Sequence, residues 1–193
     1  MTISSVCVYC GASDSVADHY KVLARQVGVA LTENKYQLVY GGAEIGLMGI
    51  VADSAMETGG YVVGIIPHNI RSDENPHSGL SELHIVSNMH NRKQLMVDKS
   101  DAFLILPGGF GTLDEAFEIL TWRKLQFHNK PIILLNHKGF WDPFIELVNR
   151  LINEGFAAPH DTALFHVADN VEEVLSFLKH DHTLSIAPKT DKM

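Results

Sequence analysis

Apolar residues fall in short runs separated by amphipathic stretches, and the alternation predicts strand and helix in turn. Ser5 to Tyr9 reads as a strand, followed by the turn Gly11-Ala12-Ser13. A helix follows from about His19 to Asn34, with Val22, Leu23, Val27 and Leu31 on one side. Gln37 to Tyr40 is the second strand, and the next helix runs to about Thr58, where Gly59-Gly60 ends it. Tyr61 to Ile66 is the third strand, stopped by Pro67, and Glu82 to Val86 the fourth. Between them His68 to Ser81 is polar and irregular, a loop long enough to serve a function.

Asn88 or Ser87 can cap a helix from about Met89 to Ser100. The apolar run Ala102 to Leu106 predicts a central strand, and a helix follows to about Gln126 with Leu113, Phe117 and Leu120 as its apolar positions. Pro131 to Leu135 is a further strand and Phe140 to Glu154 a helix with Phe144, Leu147, Val148 and Leu151 as its stripe. Leu164 to Val167 and Asn170 to Lys179 complete the pattern. Strands apolar on both faces that alternate with helices predict an α/β fold, a parallel sheet with helices on both faces. Residues 1–180 are expected to form one domain and 181–193 a mobile tail without apolar periodicity.

The glycine turns give this frame a direction. Gly11, Gly41-Gly42 and Gly108-Gly109-Gly111 all fall at carboxyl ends of predicted strands, where ligands of parallel sheets sit. The run Pro107-Gly108-Gly109-Phe110-Gly111-Thr112-Leu113-Asp114-Glu115 reads as strand end, glycine turn and helix start. Bare N–H groups and a helix N-terminus then converge on one spot, which suits a phosphate. Neither turn is a dinucleotide fingerprint, since Asp114 stands where a third glycine would be, and no P-loop is present. A plain connection without a ligand is the other reading.

Composition narrows the function classes. The chain has 193 residues, 46% hydrophobic and 20% charged, ordinary values for a globular protein. A net charge of −8 argues against a general nucleic-acid binder but leaves room for a small phosphorylated ligand. No signal peptide or membrane span is evident, so the cytoplasm is the expected location. Cys7 and Cys10 form a C-x-x-C that lies on a strand and would point to opposite faces, which predicts structural thiols rather than a redox pair. The 11 histidines show no ligand spacing, and no metal or cofactor is expected.

Two carboxyl and cation clusters remain. Thr112-Leu113-Asp114-Glu115 matches a T-x-x-E capping box, so Glu115 either caps its own helix or stands in the first turn beside the phosphate pocket. Arg92 and Lys93 of Met89-His90-Asn91-Arg92-Lys93 sit where positive charge opposes the helix dipole. They are either a solvated pair or a forked contact to phosphate or carboxylate, and His90 is a further pocket candidate.

Together these stretches resemble the Lonely Guy (LOG) family. The resemblance rests on Cys10 to Ser13, Tyr40-Gly41-Gly42 through Gly49, Met89 to Lys93, Pro107 to Glu115, Thr121-Trp122 and Lys130-Pro131, and covers about residues 5 to 179. It implies a Rossmann-like three-layer sandwich, usually dimeric, with cytokinin riboside 5'-monophosphate phosphoribohydrolase activity. Such an enzyme cleaves the N-glycosidic bond of an N6-modified adenosine monophosphate to free base and ribose 5-phosphate. The resemblance implies Arg92 and Glu115 as the catalytic pair. It implies substrate contacts at Glu74, Lys93, Gly109, Phe110, Gly111, Thr112, Leu113, Asp114 and Thr121, with Gly42, Gly108 and Met89 from the same motifs. Ala43 and Asn91 depart from residues common in the family, next to motif positions rather than at them. A broader nucleoside 5'-monophosphate nucleosidase and a non-catalytic nucleotide or cofactor carrier are the alternatives. The lysine decarboxylase label sometimes attached to the family would need a lysine for pyridoxal phosphate, and no lysine here stands in such a context.

Overall fold

A computed structural model describes residues 2–68 and 75–180. Seven strands form one sheet in the order β4-β3-β2-β1-β5-β6-β7. They are β1 (Ser5–Tyr9), β2 (Gln37–Tyr40), β3 (Val62–Pro67), β4 (Glu82–Val86), β5 (Ala102–Ile105), β6 (Ile132–Leu135) and β7 (His166–Ala168). Every pairing between these strands is parallel, as the alternation of strands and helices predicts. The helices are α1 (Asp18–Glu33), α2 (Gly46–Glu57), α3 (Met89–Asp98), α4 (Phe110–Lys124), α5 (Asp142–Asn153) and α6 (Val171–Lys179).

The period-2 alternation of each strand divides the core. Val6, Val8, Leu38 and Leu104 join α1, α2 and α6 on one face. Cys7, Tyr9, Val39, Phe103 and Ile105 join α3, α4 and α5 on the other. Cys7 and Cys10 therefore lie in different layers, both as free thiols.

The chain runs outward from β1 to β4 and then returns to place β5 on the other side of β1. The switch point lies between β1 and β5, whose register sets Tyr9 opposite Ile105. Beyond it, the Gly11 N–H donates to the Pro107 carbonyl at 3.1 Å, so two glycine turns face one another there.

Several boundaries differ from the periodicity. α5 starts at Asp142 rather than Phe140, because a 3-10 turn at His137–Gly139 comes first and the Asn136 side chain accepts the Trp141 N–H at 2.7 Å. The segment Pro159–Leu164 is a 3-10 helix, which delays β7 to His166. On α4 the buried positions are Thr112, Ala116, Ile119, Leu120 and Arg123, and Phe117 is exposed. Val22 and Leu147 are likewise exposed rather than part of their helices' buried stripes. Asn88 caps α3 by accepting the Asn91 N–H at 2.8 Å. The tail 181–193 and Glu74 lie outside the described residues.

Candidate active site

A cavity of about 650 Å³ opens at the switch point, a size that suits a nucleotide. Its wall is built from the turn after β1 (Cys10 to Ser13), the turn after β5 (Pro107 to Thr112), the start of α2 (Leu47, Met48), Met89 and Arg92 of α3, and Glu115. Val16, Tyr20 and Phe140 add an apolar lobe. Tyr20 meets Phe140 edge-on at 5.7 Å between ring centroids, which joins the start of α1 to the loop after β6.

The turn after β5 is left open by its own sequence. Gly109 is the N-cap residue of α4 and no side chain caps the helix. Among the described residues the N–H groups of Phe110, Gly111 and Thr112 have no acceptor, and they border the cavity. Close approach makes Gly108 necessary, since a Cβ there would sit 2.1 Å from Thr112 Oγ1. The capping-box expectation for Glu115 fails here. The helix begins at Phe110, so Glu115 stands in its second turn and cannot serve as the third residue of a box.

Arg92 is fixed from below. Its guanidinium is buried, with Nε donating to the Ile65 carbonyl and Nη2 to the Gly41 carbonyl, both at 3.2 Å. Gly41 is essential to this arrangement, because a Cβ on it would lie 1.9 Å from Arg92 Nη2. The solvated-pair reading of Arg92 is thus excluded: the side chain turns inward to two strand-end carbonyls. No described carboxylate forms an ion pair with it.

Glu115 is half-buried on the same wall. Its carboxyl is pushed up to about 7, first by burial, against which the Arg92 charge acts, with Asp114 adding to the rise. Such a group exchanges its proton near neutral pH, which suits general acid–base work, and its ionised form can stabilise positive charge. Burial raises the Cys7, Tyr9 and Cys10 groups beside it far above their usual ranges, so these stay neutral.

The cavity brings together Met89, Arg92, Gly108, Gly109, Phe110, Gly111, Thr112 and Glu115 of the expected site. Lys93, Gly42, Leu113, Asp114 and Thr121 stand outside its lining. Lys93 pairs with Asp114 at 3.0 Å and Glu118 at 3.1 Å. Leu113 packs on the core, and Thr121 Oγ1 donates to the Phe117 carbonyl. Gly42 adopts φ +78 and its carbonyl accepts the His77 N–H. The His77 ring bridges the Ser78 carbonyl at 2.8 Å and Asp53 Oδ1 at 3.0 Å, so the far end of the 68–81 loop is held on α2. Tyr20 and Phe140 carry no sequence signal as cavity residues, because nothing local relates positions on α1 and after β6. The sequence marks Gly41 as a turn glycine without its service to Arg92, a contact 51 residues away. Among the described residues no group of three His, Cys, Asp or Glu is placed to hold a metal ion.

Comparison with known proteins bears on the family and the fold. A family model described as "Possible lysine decarboxylase" matches residues 48–178. A cytokinin riboside 5'-monophosphate phosphoribohydrolase of Rhodococcoides fascians is 42% identical over 179 residues, 92% of this chain and 90% of that protein. The Oryza sativa subsp. japonica protein of that name, LOG, is 39% identical over 88% of this chain and 70% of its own length. Arabidopsis thaliana LOG7 is 37% identical, with 90% of this chain and 80% of that protein covered. Among solved structures, the molybdenum cofactor carrier protein of Chlamydomonas reinhardtii superposes with a TM-score of 0.70 at 20% identity, covering 92% of this chain and 96% of that one. That likeness concerns the fold alone. With relatives this similar along nearly the whole chain, and a switch-point cavity lined by M-H-x-R-K and P-G-G-x-G-T-x-x-E residues, the chain belongs to the Lonely Guy family, the group whose family model bears the lysine decarboxylase description.

Proposed function

We propose that this chain hydrolyses the N-glycosidic bond of an N6-modified adenosine 5'-monophosphate, releasing the free base, a cytokinin, and ribose 5-phosphate. The observation that carries the reading is one cavity lined by the uncapped N-terminus of α4, the anchored Arg92 and the half-buried Glu115. In this reading the phosphate sits on the N–H groups of Phe110 to Thr112 and serves as a remote handle that holds the sugar. The bond from the base nitrogen to the anomeric carbon breaks, its electron pair leaves with the base, and positive charge develops on the ribose. The Glu115 carboxylate stabilises that charge or aligns the water whose oxygen bonds to the anomeric carbon. One proton of that water ends on the base. Arg92 adds a fixed positive charge for the anionic substrate. The other expected contacts, Glu74, Lys93, Leu113, Asp114, Thr121 and Gly42, belong to this reading as substrate-side positions or their supports.

The apolar lobe of Val16, Tyr20, Leu47 and Phe140 supports an apolar N6 substituent over an ordinary base. Among the described residues no helix is long and apolar enough to cross a membrane, and a cytoplasmic location belongs to the same reading. So does a homodimer: Phe110 is 93% exposed at the cavity rim, and a second copy seated there would cover it. A decarboxylase reading finds no support, since among the described residues no lysine lines the cavity to hold pyridoxal phosphate.

The test is ribose 5-phosphate release from AMP, CMP, UMP, GMP and N6-isopentenyl-AMP, with Glu115→Gln as control. Preference for the isopentenyl compound, lost in the variant, is the expected result. Equal or better cleavage of ordinary nucleotides would make the protein a general nucleosidase. No release from any of them would favour a carrier.

A further inference from the structure

Arg92 and Lys93 are neighbours on α3 but serve different elements. Arg92 turns to the carbonyls of Gly41 and Ile65. Lys93 turns to α4, where its Nζ stands 3.0 Å from Asp114 Oδ2 and 3.1 Å from Glu118 Oε2. The Lys93 side chain is only 12% exposed, and it lies outside the cavity lining. Its ammonium is already engaged by two carboxylates. Those carboxylates occupy the positions one before and three after Glu115, so the cluster brackets the one acidic side chain that lines the cavity among the described residues.

We propose that Lys93, clamped by Asp114 and Glu118, is a positioning residue that sets the protonation of Glu115 rather than a group that grips the substrate. The inference rests on the reading of Glu115 as the reacting carboxyl, though its core concerns charge alone. Glu115 is faced by Arg92 and Lys93 from α3, by Asp114 and Glu118 from its own helix, and by Tyr9, Cys7 and Cys10 from β1 and its end. The β1 groups are kept neutral by burial, so the charges that act on Glu115, beside its own burial, are two cations and two carboxylates. Burial is the first cause of the rise of Glu115; Arg92 and Lys93 oppose it, and Asp114 and Glu118 add to it. The clamp holds both carboxylates to one cation and keeps Glu115 near neutrality, where a change of protonation is accessible at working pH.

The test is a carbon-13 NMR titration of the Glu115 carboxyl in the intact protein, the resonance being assigned by its loss in Glu115→Gln. Lys93→Met should move the midpoint up by about one pH unit and Glu118→Gln down by a similar amount. Lys93→Arg should leave it near the wild-type value, and the double variant Lys93→Met, Glu118→Gln should fall between the single ones. The double variant also removes the bare carboxylate pair that could unsettle folding in Lys93→Met. Midpoints that stay put, or that move the same way in Lys93→Met and Glu118→Gln, overturn the proposal. A rise in KM for N6-isopentenyl-AMP at every pH in Lys93→Arg, with no movement of the carboxyl, would also overturn it and make Lys93 a substrate contact. If the midpoints move as expected while Glu115→Gln keeps its turnover, the clamp stands and the catalytic reading of Glu115 fails.

Discussion

The turn after β2 and the turn after β5 are both strand ends rich in glycine, yet their backbone groups have different destinations. After β2, the Gly41 carbonyl holds Arg92, the Gly42 carbonyl holds His77 and the Glu44 N–H donates to the Asn75 carbonyl. At the start of α2, the Gly46 N–H donates to Asp14 Oδ1 and the Leu47 N–H to the Gly11 carbonyl. Protein groups consume that turn. After β5, no side chain caps α4, and a Cβ at Gly109 or Gly111 would meet nothing within 4 Å. One turn builds the site and the other receives what enters it. Glycine content alone does not separate them; the fate of the N–H groups does.

The same substitution in both turns should therefore differ in its effect on stability, and the largest loss falls on the builder. Gly41→Ala places a methyl on the Arg92 guanidinium, and kcat/KM should drop by about 100-fold or more as Arg92 is displaced. Thermal unfolding should show a cost of about 1–3 kcal/mol from overpacking. Normal activity in Gly41→Ala would break the contrast.

The next effect is in pH. With the Glu115 carboxyl near 7 and its ionised form required, turnover should climb about tenfold per pH unit below neutrality and level off above it. The same group affects stability with a definite sign. Its folded pKa lies above the ordinary 4.5, so the folded state binds more protons than the unfolded between about 4.5 and about 7, and stability falls as pH rises through that window. Glu115→Gln should flatten both curves, as followed by initial rates and by denaturant midpoints against pH.

On the receiving side, Gly111→Ala meets open space within a helix and should leave stability unchanged or raise it by about 0.5–1 kcal/mol. Its methyl should instead raise KM for the monophosphate about tenfold by crowding the anion's N–H groups. The smallest effect should come from Asp14→Ala, which removes the acceptor at the start of α2 and should cost about 1 kcal/mol in melting experiments. Equal stability losses in Gly41→Ala and Gly111→Ala would mean the two turns are not different in kind.

The sequence makes the alternation of strands and helices plain, because β1, β5 and β6 are buried apolar runs bounded by turns. It also separates Cys7 from Cys10, a consequence of the strand period alone. The start of α4 differs from the sequence pattern for a physical reason. Phe110-Gly111 has poor helix propensity, so Thr112 looks like the cap, but the helix starts at Phe110, and the Leu113 N–H donates to the Gly109 carbonyl. The buried stripe shifts with it, leaving Phe117 outside and Ala116 within. Arg92 was named from its motif, but its inward course was not legible. The carbonyls that draw it inward lie 27 and 51 residues away, and only the assembled sheet brings them together. Lys93 and Asp114, 21 residues apart, are the same case.

The anchoring of Arg92 bears on the thermodynamics of binding. An arginine side chain carries about 2 kcal/mol of rotamer entropy. Because Ile65 and Gly41 already fix this guanidinium, that freedom is lost when the chain folds rather than when a ligand arrives. A nucleotide reaching the cavity meets a charge that needs no search for its orientation. The glycine at position 41 thus acts on the entropy of an encounter in which its own atoms take no part.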